Sequence, residues 1–276
     1  MKLSELRQRP HLSSSQINQL LNICSLQWYF ERVERLKKPF VSHALSIGTC
    51  IHRTLSKSLG KFASGASPEV DFYKDMFSEM WKKENERQTI RFPARDDYES
   101  LAEKGRNMIQ CVLDNVDPEE KILSISQAFC VPVRSPDGVV IKSPLIGEYD
   151  LVVERDGKPV IVDWKTAARK WAAGQAHKSF QATVYSYAWN QMHNERPEIR
   201  FDVVTKTKVP SFEQHSTRRT ESSEQRMALM ISKAQKIIEH ELFYPAETGF
   251  YCNDCPYKEP CKAWHLNGSC RASQAA

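Results

Sequence analysis

The sequence predicts an α/β protein, a mixed sheet flanked by helices, with a helical insertion ahead of the sheet and a cysteine-rich segment after it. Three observations lead there. Apolar residues recur at helical spacing up to about residue 115. From Ile122 the period changes, and β-branched and aromatic residues gather in short runs separated by Pro136-Asp137-Gly138 and Arg155-Asp156-Gly157. After Pro245 the chain becomes a short stretch dense in Cys, Pro and Trp that is too small to bury a core of its own.

Taken in order, Ser13 and Gln16 have the spacing of a capping box, and Ile17, Leu20, Leu21, Cys24 and Trp28 continue it as one amphipathic helix. Ile47, Ile51, Leu55 and Leu59 fall on the stripe of a second helix ending near Gly60, with Gly48 and His52 on a neighbouring face. Residues 68–115 read as further helix, carrying Tyr73, Phe77, Trp81, Leu101 and Met108. Strands are expected near 122–133, 139–142, 145–154 and 159–165. A helix near 175–192, a strand near 199–208 and a charged helix near 221–241 follow. The corresponding units are 1–67, 68–118, 119–245 and 246–276.

With 276 residues, 41% of them hydrophobic and 26% charged, the chain can bury one sizeable core. It has no apolar run of membrane-crossing length and no apolar stretch like a secretory signal, so a cytoplasmic protein without a membrane partner is expected. A net charge of +5 permits a polyanionic partner without demanding one. A chain this long in a reducing compartment does not need disulfides, which leaves thiolate metal ligation to explain some of its 8 cysteines.

The segment Val160-Ile161-Val162-Asp163-Trp164-Lys165-Thr166 carries the most information. Alternation along a strand puts Asp163 and Lys165 on one face with Ile161, and Val160, Val162 and Trp164 on the other. Burying either charge alone costs several kcal/mol, so the pair needs partners or a chemical task. Asp150 stands on the preceding strand, and a hairpin at Asp156-Gly157 would bring it beside Asp163, where the two carboxylates can converge on one cation. Carboxylate-held Mg2+ or Mn2+ suits phosphodiester hydrolysis, with Lys165 orienting the water or facing the developing charge. The bland alternative is an ordinary ion pair at a sheet edge. Gln181 and Tyr185, four apart on a helix, can approach the same strand face, although a core tyrosine with a neighbouring glutamine has the same spacing.

Gly147-x-x-Asp150, then Asp163-Trp164-Lys165-Thr166, then Gln181-Ala182-Thr183-Val184-Tyr185, with Gly48-Thr49-Cys50-Ile51-His52 upstream, resembles the RecB-type branch of the PD-(D/E)XK nucleases. The resemblance implies a restriction-endonuclease-like sheet and metal-ligand roles for His52, Asp150 and Asp163, with the Trp164 carbonyl joining them. It also implies catalytic roles for Asp150, Asp163, Lys165, Gln181 and Tyr185. The activity it implies is a DNA exonuclease on single-stranded or frayed ends. The competing expectation is a non-catalytic DNA-binding or assembly subunit of a CRISPR adaptation or recombination complex. Without a Walker-type phosphate loop, any ATP-driven unwinding would come from a partner in a helicase–nuclease complex.

Cys252, Cys255 and Cys261 can reach one metal centre, and a fourth ligand must come from Cys24, His265 or Cys270. Members of the resembled branch that carry an iron–sulfur cluster pair one N-terminal cysteine with three near the C-terminus. That likeness implies a 4Fe-4S cluster on Cys24, Cys252, Cys255 and Cys261, stapling the two ends of the chain. Zn2+ on the three C-terminal cysteines with His265 or Cys270 is the alternative. Cys50, Cys111 and Cys130 sit singly in apolar patterns and read as structural. Arg169, Lys170, Trp171 and Lys178 follow the candidate strand and are candidates for phosphate contact and base stacking, against a default of solvated surface. No motif that reads base edges is visible.

Overall fold

A computed structural model describes residues 2–63, 69–117, 119–247 and 249–267. The chain begins with α1 (Leu3–Leu6) and α2 (Ser14–Asn18), passes through a π turn at Gln19–Ile23, and continues as α3 (Ser25–Arg32). Ser13 caps α2, its Oγ accepting the Gln16 N–H at 3.3 Å. The single helix expected through Cys24 is instead broken there. Cys24 is extended (φ −168°, ψ 118°) and caps α3, its sulfur accepting the Gln27 N–H at 3.4 Å. The π turn takes up the extra residue that an apolar periodicity alone does not register.

Next come β1 (Val41–Ser42) and α4 (His43–Ala63), whose stripe Ile47, Ile51, Leu55 and Leu59 is buried as its spacing predicts. The segment 68–115 supplies α5 (Val70–Arg87), β2 (Ile90–Arg91), which pairs in parallel with β1, and α6 (Tyr98–Leu113). Then follow β3 (Lys121–Val131), β4 (Leu145–Arg155), β5 (Lys158–Ala167), α7 (Phe180–His193), β6 (Glu198–Thr205), β7 (Phe212–Thr217), α8 (Glu221–Glu239) and a short α9 (Lys258–Trp264).

These five longer strands make one sheet in sequence order. Every pairing is antiparallel except β5 with β6, where α7 provides the crossover. Asp156 (φ 52°) and Gly157 (φ 70°) form the tight turn of the β4–β5 hairpin, two positive φ values in succession that favour an Asp-Gly pair. Residues 139–142 do not form the expected strand. Val139 and Val140 are exposed, and the segment makes an isolated bridge, Arg134 with Val140, around a turn at Gly138 (φ 84°), with the Ser135 N–H donating to the Val139 carbonyl and the Ile141 N–H to the Val133 carbonyl. The apolar run is real, but it borders a loop instead of entering the ladder. Residues 175–192 divide into a 3-10 turn at Ala176–Lys178 and α7, which Ser179 caps by accepting the Ala182 N–H. β7 and α9 were not foreseen.

The sheet separates two apolar layers. Ile161, Val152, Phe201 and Val203 pack toward α3, α7 and α8, whereas Val160, Val162, Trp164, Leu151 and Val153 pack beneath α4, α5 and α6. Both faces of β5 are therefore covered around Asp163, which keeps that carboxylate out of bulk water. Gly147 has a packing reason to be glycine, because a Cβ there would lie 2.3 Å from Cζ of Phe129, a ring only 2% exposed. Gly147→Ala is expected to destabilise the protein by about 1–3 kcal/mol, the usual cost of overpacking, read as a lower urea midpoint. An unchanged midpoint would show that Phe129 can move aside.

Residues far apart in sequence meet behind the sheet. Tyr244 N–H donates to Ser25 Oγ at 2.8 Å, Leu26 N–H donates to the Tyr244 carbonyl at 3.1 Å, and Trp28 stacks on Phe243 with centroids 5.7 Å apart. Tyr257 packs on Phe30 and donates its hydroxyl to the Leu36 carbonyl at 3.3 Å. Among the described residues no helix is long and apolar enough to cross a membrane.

Candidate active site

The hydrogen-bonded ladder between β4 and β5 ends at the Leu151–Val162 pair. Just beyond it stand Asp150 and Asp163. The Trp164 N–H, freed from a cross-strand carbonyl there, donates instead to Asp150 Oδ2 at 3.0 Å. His52, carried on α4, places Nδ1 3.2 Å from the same oxygen, and its ring meets Trp164 edge-on at 5.9 Å. Burial opposes protonation of His52, but the Asp150 carboxylate outweighs it and raises the imidazole above its ordinary value.

Asp163 is 1% exposed. Its Oδ1 faces the Tyr185 hydroxyl at 2.9 Å, and its Oδ2 lies 2.5 Å from the Lys165 ammonium yet accepts no well-directed hydrogen bond. Burial raises the proton affinity of this carboxyl; Lys165 opposes the shift and Asp150 adds to it, with a net rise. Lys165 Nζ also donates to Gln181 Oε1 at 2.8 Å, and Gln181 Nε2 donates to Tyr185 Oη at 2.7 Å. The single Tyr185 proton has two acceptors, Asp163 Oδ1 and the Glu148 carbonyl at 3.0 Å. Asp163, Lys165, Gln181 and Tyr185 thus form a closed ring of contacts, which fixes the ammonium and both carboxylate oxygens. Tyr185→Phe should orphan the Gln181 amide and cost about 1–3 kcal/mol, seen as a lower Tm. Unchanged stability would mean that water takes the place of the hydroxyl.

A cavity of about 250 Å³ opens onto this ring, lined by Asp150, Gln181 and Tyr185 and also by Glu148, Arg7 and His11. These last three were not foreseen. Glu148 is two residues before Asp150, so strand alternation offered a signal for it; burial, then Asp150, raises its carboxyl above the usual range. Arg7 and His11 arrive from the α1 region and carried no signal. Among the described residues no three His, Cys, Asp or Glu side chains are already drawn around one point at metal-ligating distance. His52, the Trp164 N–H and Lys165 occupy the two carboxylates instead.

Cys24, Cys252, Cys255 and Cys261 line a second cavity of about 610 Å³, with His265 on its wall. Burial raises the Cys255 and Cys261 thiols, and the neighbouring sulfurs raise them further, Cys24 and Cys252 among them in each case. The break at Cys24 aims its sulfur at the C-terminal segment, 3.8 Å from the Tyr244 carbonyl. Cys270, the other local candidate, lies outside the described residues. Cys50 is buried, and Cys111 and Cys130 stand apart from this cavity.

Of the basic and aromatic residues after β5, Arg169 and Lys178 are exposed and Lys170 pairs with Glu213 at 2.8 Å. Trp171 is half-buried, its ring set against Phe201 at 5.1 Å and His215 at 5.6 Å.

A mixed sheet with two acidic residues where neighbouring strands part, and a lysine two places after the second, defines a nuclease-type α/β site. The chain belongs to the PD-(D/E)XK nuclease superfamily, whose family model matches residues 11–262. Members of that superfamily typically use divalent metals such as Mg2+. Among solved structures, the chain is similar to a "putative exonuclease" from Eubacterium rectale, with a TM-score of 0.55 and 14% identity, covering 91% of this chain and 90% of that one. That likeness bears on the fold alone. SSO0001 is more distant, with a TM-score of 0.39 and 10% identity over 84% of this chain and 91% of that one, and carries no argument. No curated protein sequence matches significantly.

Proposed function

We propose that the protein is a metal-dependent DNA exonuclease of the RecB-type branch, acting on single-stranded or frayed ends. The observation that carries this reading is the pairing of two acidic residues on neighbouring strands, Asp150 and the buried Asp163, with the Lys165 ammonium 2.5 Å from Asp163 Oδ2. Lys165 offsets only part of the cost of burying that carboxylate, and the neighbouring Asp150 adds negative charge beside it, an arrangement a divalent cation would relieve. Asp150 and Asp163 would hold the ion, with His52 and the Trp164 carbonyl as further ligands. Bound Mg2+ or Mn2+ supplies an acidified water and neutralises charge on the leaving oxygen.

The remaining work falls to the protein's own side chains. Lys165, on the same face of β5 as Asp163, would orient the attacking water or face the charge gathering on the phosphorus oxygens. Gln181 holds the lysine at its present position, and Tyr185 holds Gln181 and Asp163 Oδ1, so the amine is preorganised. We further propose that Cys24, Cys252, Cys255 and Cys261 hold a 4Fe-4S cluster with a structural role. The donor set suits it, because four soft thiols and no carboxylate other than Glu247 line their cavity.

The test is digestion of end-labelled linear single-stranded DNA, circular single-stranded DNA and blunt duplex, with Mg2+, with Mn2+ and with a chelator. Linear single strands should be degraded only with a divalent ion, and circles spared. Cleavage of circles would replace exonuclease by endonuclease, and inactivity of the parent protein under every condition would overturn the nuclease assignment.

A further inference from the structure

α7 presents the catalytic Gln181 and Tyr185 on one flank. On the opposite flank Ser179, Phe180 and Thr183 line a separate cavity of about 560 Å³, whose other wall is the start of α8. Its charged lining is wholly basic: His177 at the rim with Lys178, Arg218, Arg219 and Arg226, and no carboxylate. Arg218 reaches outward to Glu198 at 3.0 Å, while Lys178 and Arg226 are exposed.

Arg219 makes this more than a solvated basic patch. It is 8% exposed, yet none of the ion pairs among the described residues includes it. Its guanidinium is held by neutral oxygens, Nε donating to Thr183 Oγ1 at 2.8 Å and Nη2 to the Ser179 and Ala176 carbonyls at 2.9 and 3.1 Å. A guanidinium fixed this way keeps its charge while lacking a counter-ion, and burial weakens its hold on its proton. The supply of positive charge from Arg219, Lys178 and Arg226 at one cavity is therefore uncompensated by the protein itself.

We propose that this cavity binds a phosphate group of the DNA strand whose scissile bond lies at Asp163. The inference rests on the nuclease reading above and deepens it. The two sites lie across one helix, about 10–12 Å in diameter. A backbone following the helix surface from one flank to the other covers about half its circumference, on the order of 16–19 Å, which corresponds to about five nucleotides at the ~3.4 Å per-strand rise of stacked DNA. A strand that grips here and is cut on the other flank is positioned by its backbone, without reading sequence.

The test uses the full chain and the double variant Lys178→Glu/Arg226→Glu, both positions being exposed, with Tm compared to confirm folding. Fluorescent single-stranded oligonucleotides carrying a 5′-phosphate, a 3′-phosphate or hydroxyls at both ends are titrated with chelator present, at several salt concentrations. The variant should bind at least about tenfold more weakly, with the slope of log affinity against log salt reduced by about 1.4, the value for two lost contacts at ~0.7 each. Equal weakening for all three oligonucleotides identifies an internal backbone phosphate, and weakening confined to one phosphorylated end identifies a terminal one. Affinity and slope equal to the parent's, or a parent that binds no oligonucleotide, would overturn the proposal. Hydrolysis is scored separately, so a parent that binds through this cavity but cuts nothing would remove the nuclease reading alone.

Discussion

Replacing Asp163 by asparagine is expected to reduce DNA hydrolysis by at least about a thousandfold while leaving the folded state as stable as the parent or more so. The two effects separate because the carboxylate is unfavourable where it stands. Its folded proton affinity is raised by burial, beyond what Lys165 offsets. For an acid the sign follows: the ionised form destabilises the fold, fully so at pH above the raised value, and the penalty disappears as pH falls below the ordinary carboxylate range. Asparagine has the same shape without the charge, and Lys165, with its side chain 30% exposed, can turn to water. The loss of the carboxylate proposed to bind the metal accounts for the rate, by analogy with the ~10²–10³-fold or larger losses when one preorganised electrostatic group is removed. Steady-state digestion and a thermal melt of the same preparation check it. A variant that unfolds instead would make Asp163 a structural ion-pair member, and one that still cuts would remove it from the site.

With the proposed cluster in place, Cys255→Ser is expected to cost the protein its iron and on the order of 10 °C or more in Tm. A covalent or metal link between Cys24 and Cys255 closes a loop of more than two hundred residues. By the closure-entropy relation used for disulfides such a loop restrains the unfolded chain by on the order of 5 kcal/mol. For a domain of this size 1 kcal/mol shifts Tm by about 2–4 °C. Cys130→Ser, at an exposed position on β3, should change neither quantity. Metal analysis, visible absorption and calorimetry on anaerobically prepared protein decide the matter. Zinc in the parent would substitute the alternative metal, and a metal-free parent would end the cluster proposal.

The site was legible where a local rule carries it. Asp163 and Lys165 share a face because strands alternate, Asp156-Gly157 closes the hairpin that brings Asp150 alongside, and Gln181 and Tyr185 meet because four residues make one helical turn. His52 and Cys24 were reachable only through the family resemblance, since no local pattern says that a histidine of α4 meets β4 or that α3 meets residue 244. What escaped has identifiable causes. β7 reads Phe-Glu-Gln-His-Ser-Thr, an edge strand with too few apolar residues to signal itself. The apolar run at Val139-Val140 misled because two exposed valines look like strand to a periodicity argument. The π turn before Cys24 adds a residue to a helical repeat without altering its composition. α9 was hidden by Cys and Pro, residues that describe a loop unless something holds them.

The meeting of residues 24–28 with residues 243–261 also sets an order of events during biosynthesis. Cys24 leaves the ribosome more than two hundred residues before Cys252, a wait of roughly ten to fifty seconds at the ~5–20 residues per second of translation. For most of it Trp28 has no Phe243 to stack on and Ser25 no Tyr244 backbone to hold, so the aromatic face of α3 stays unfinished. The metal proposed for the four sulfurs can be held by all of them only after Cys261 has emerged, by which time the sheet bearing Asp150, Asp163 and Lys165 has already been made.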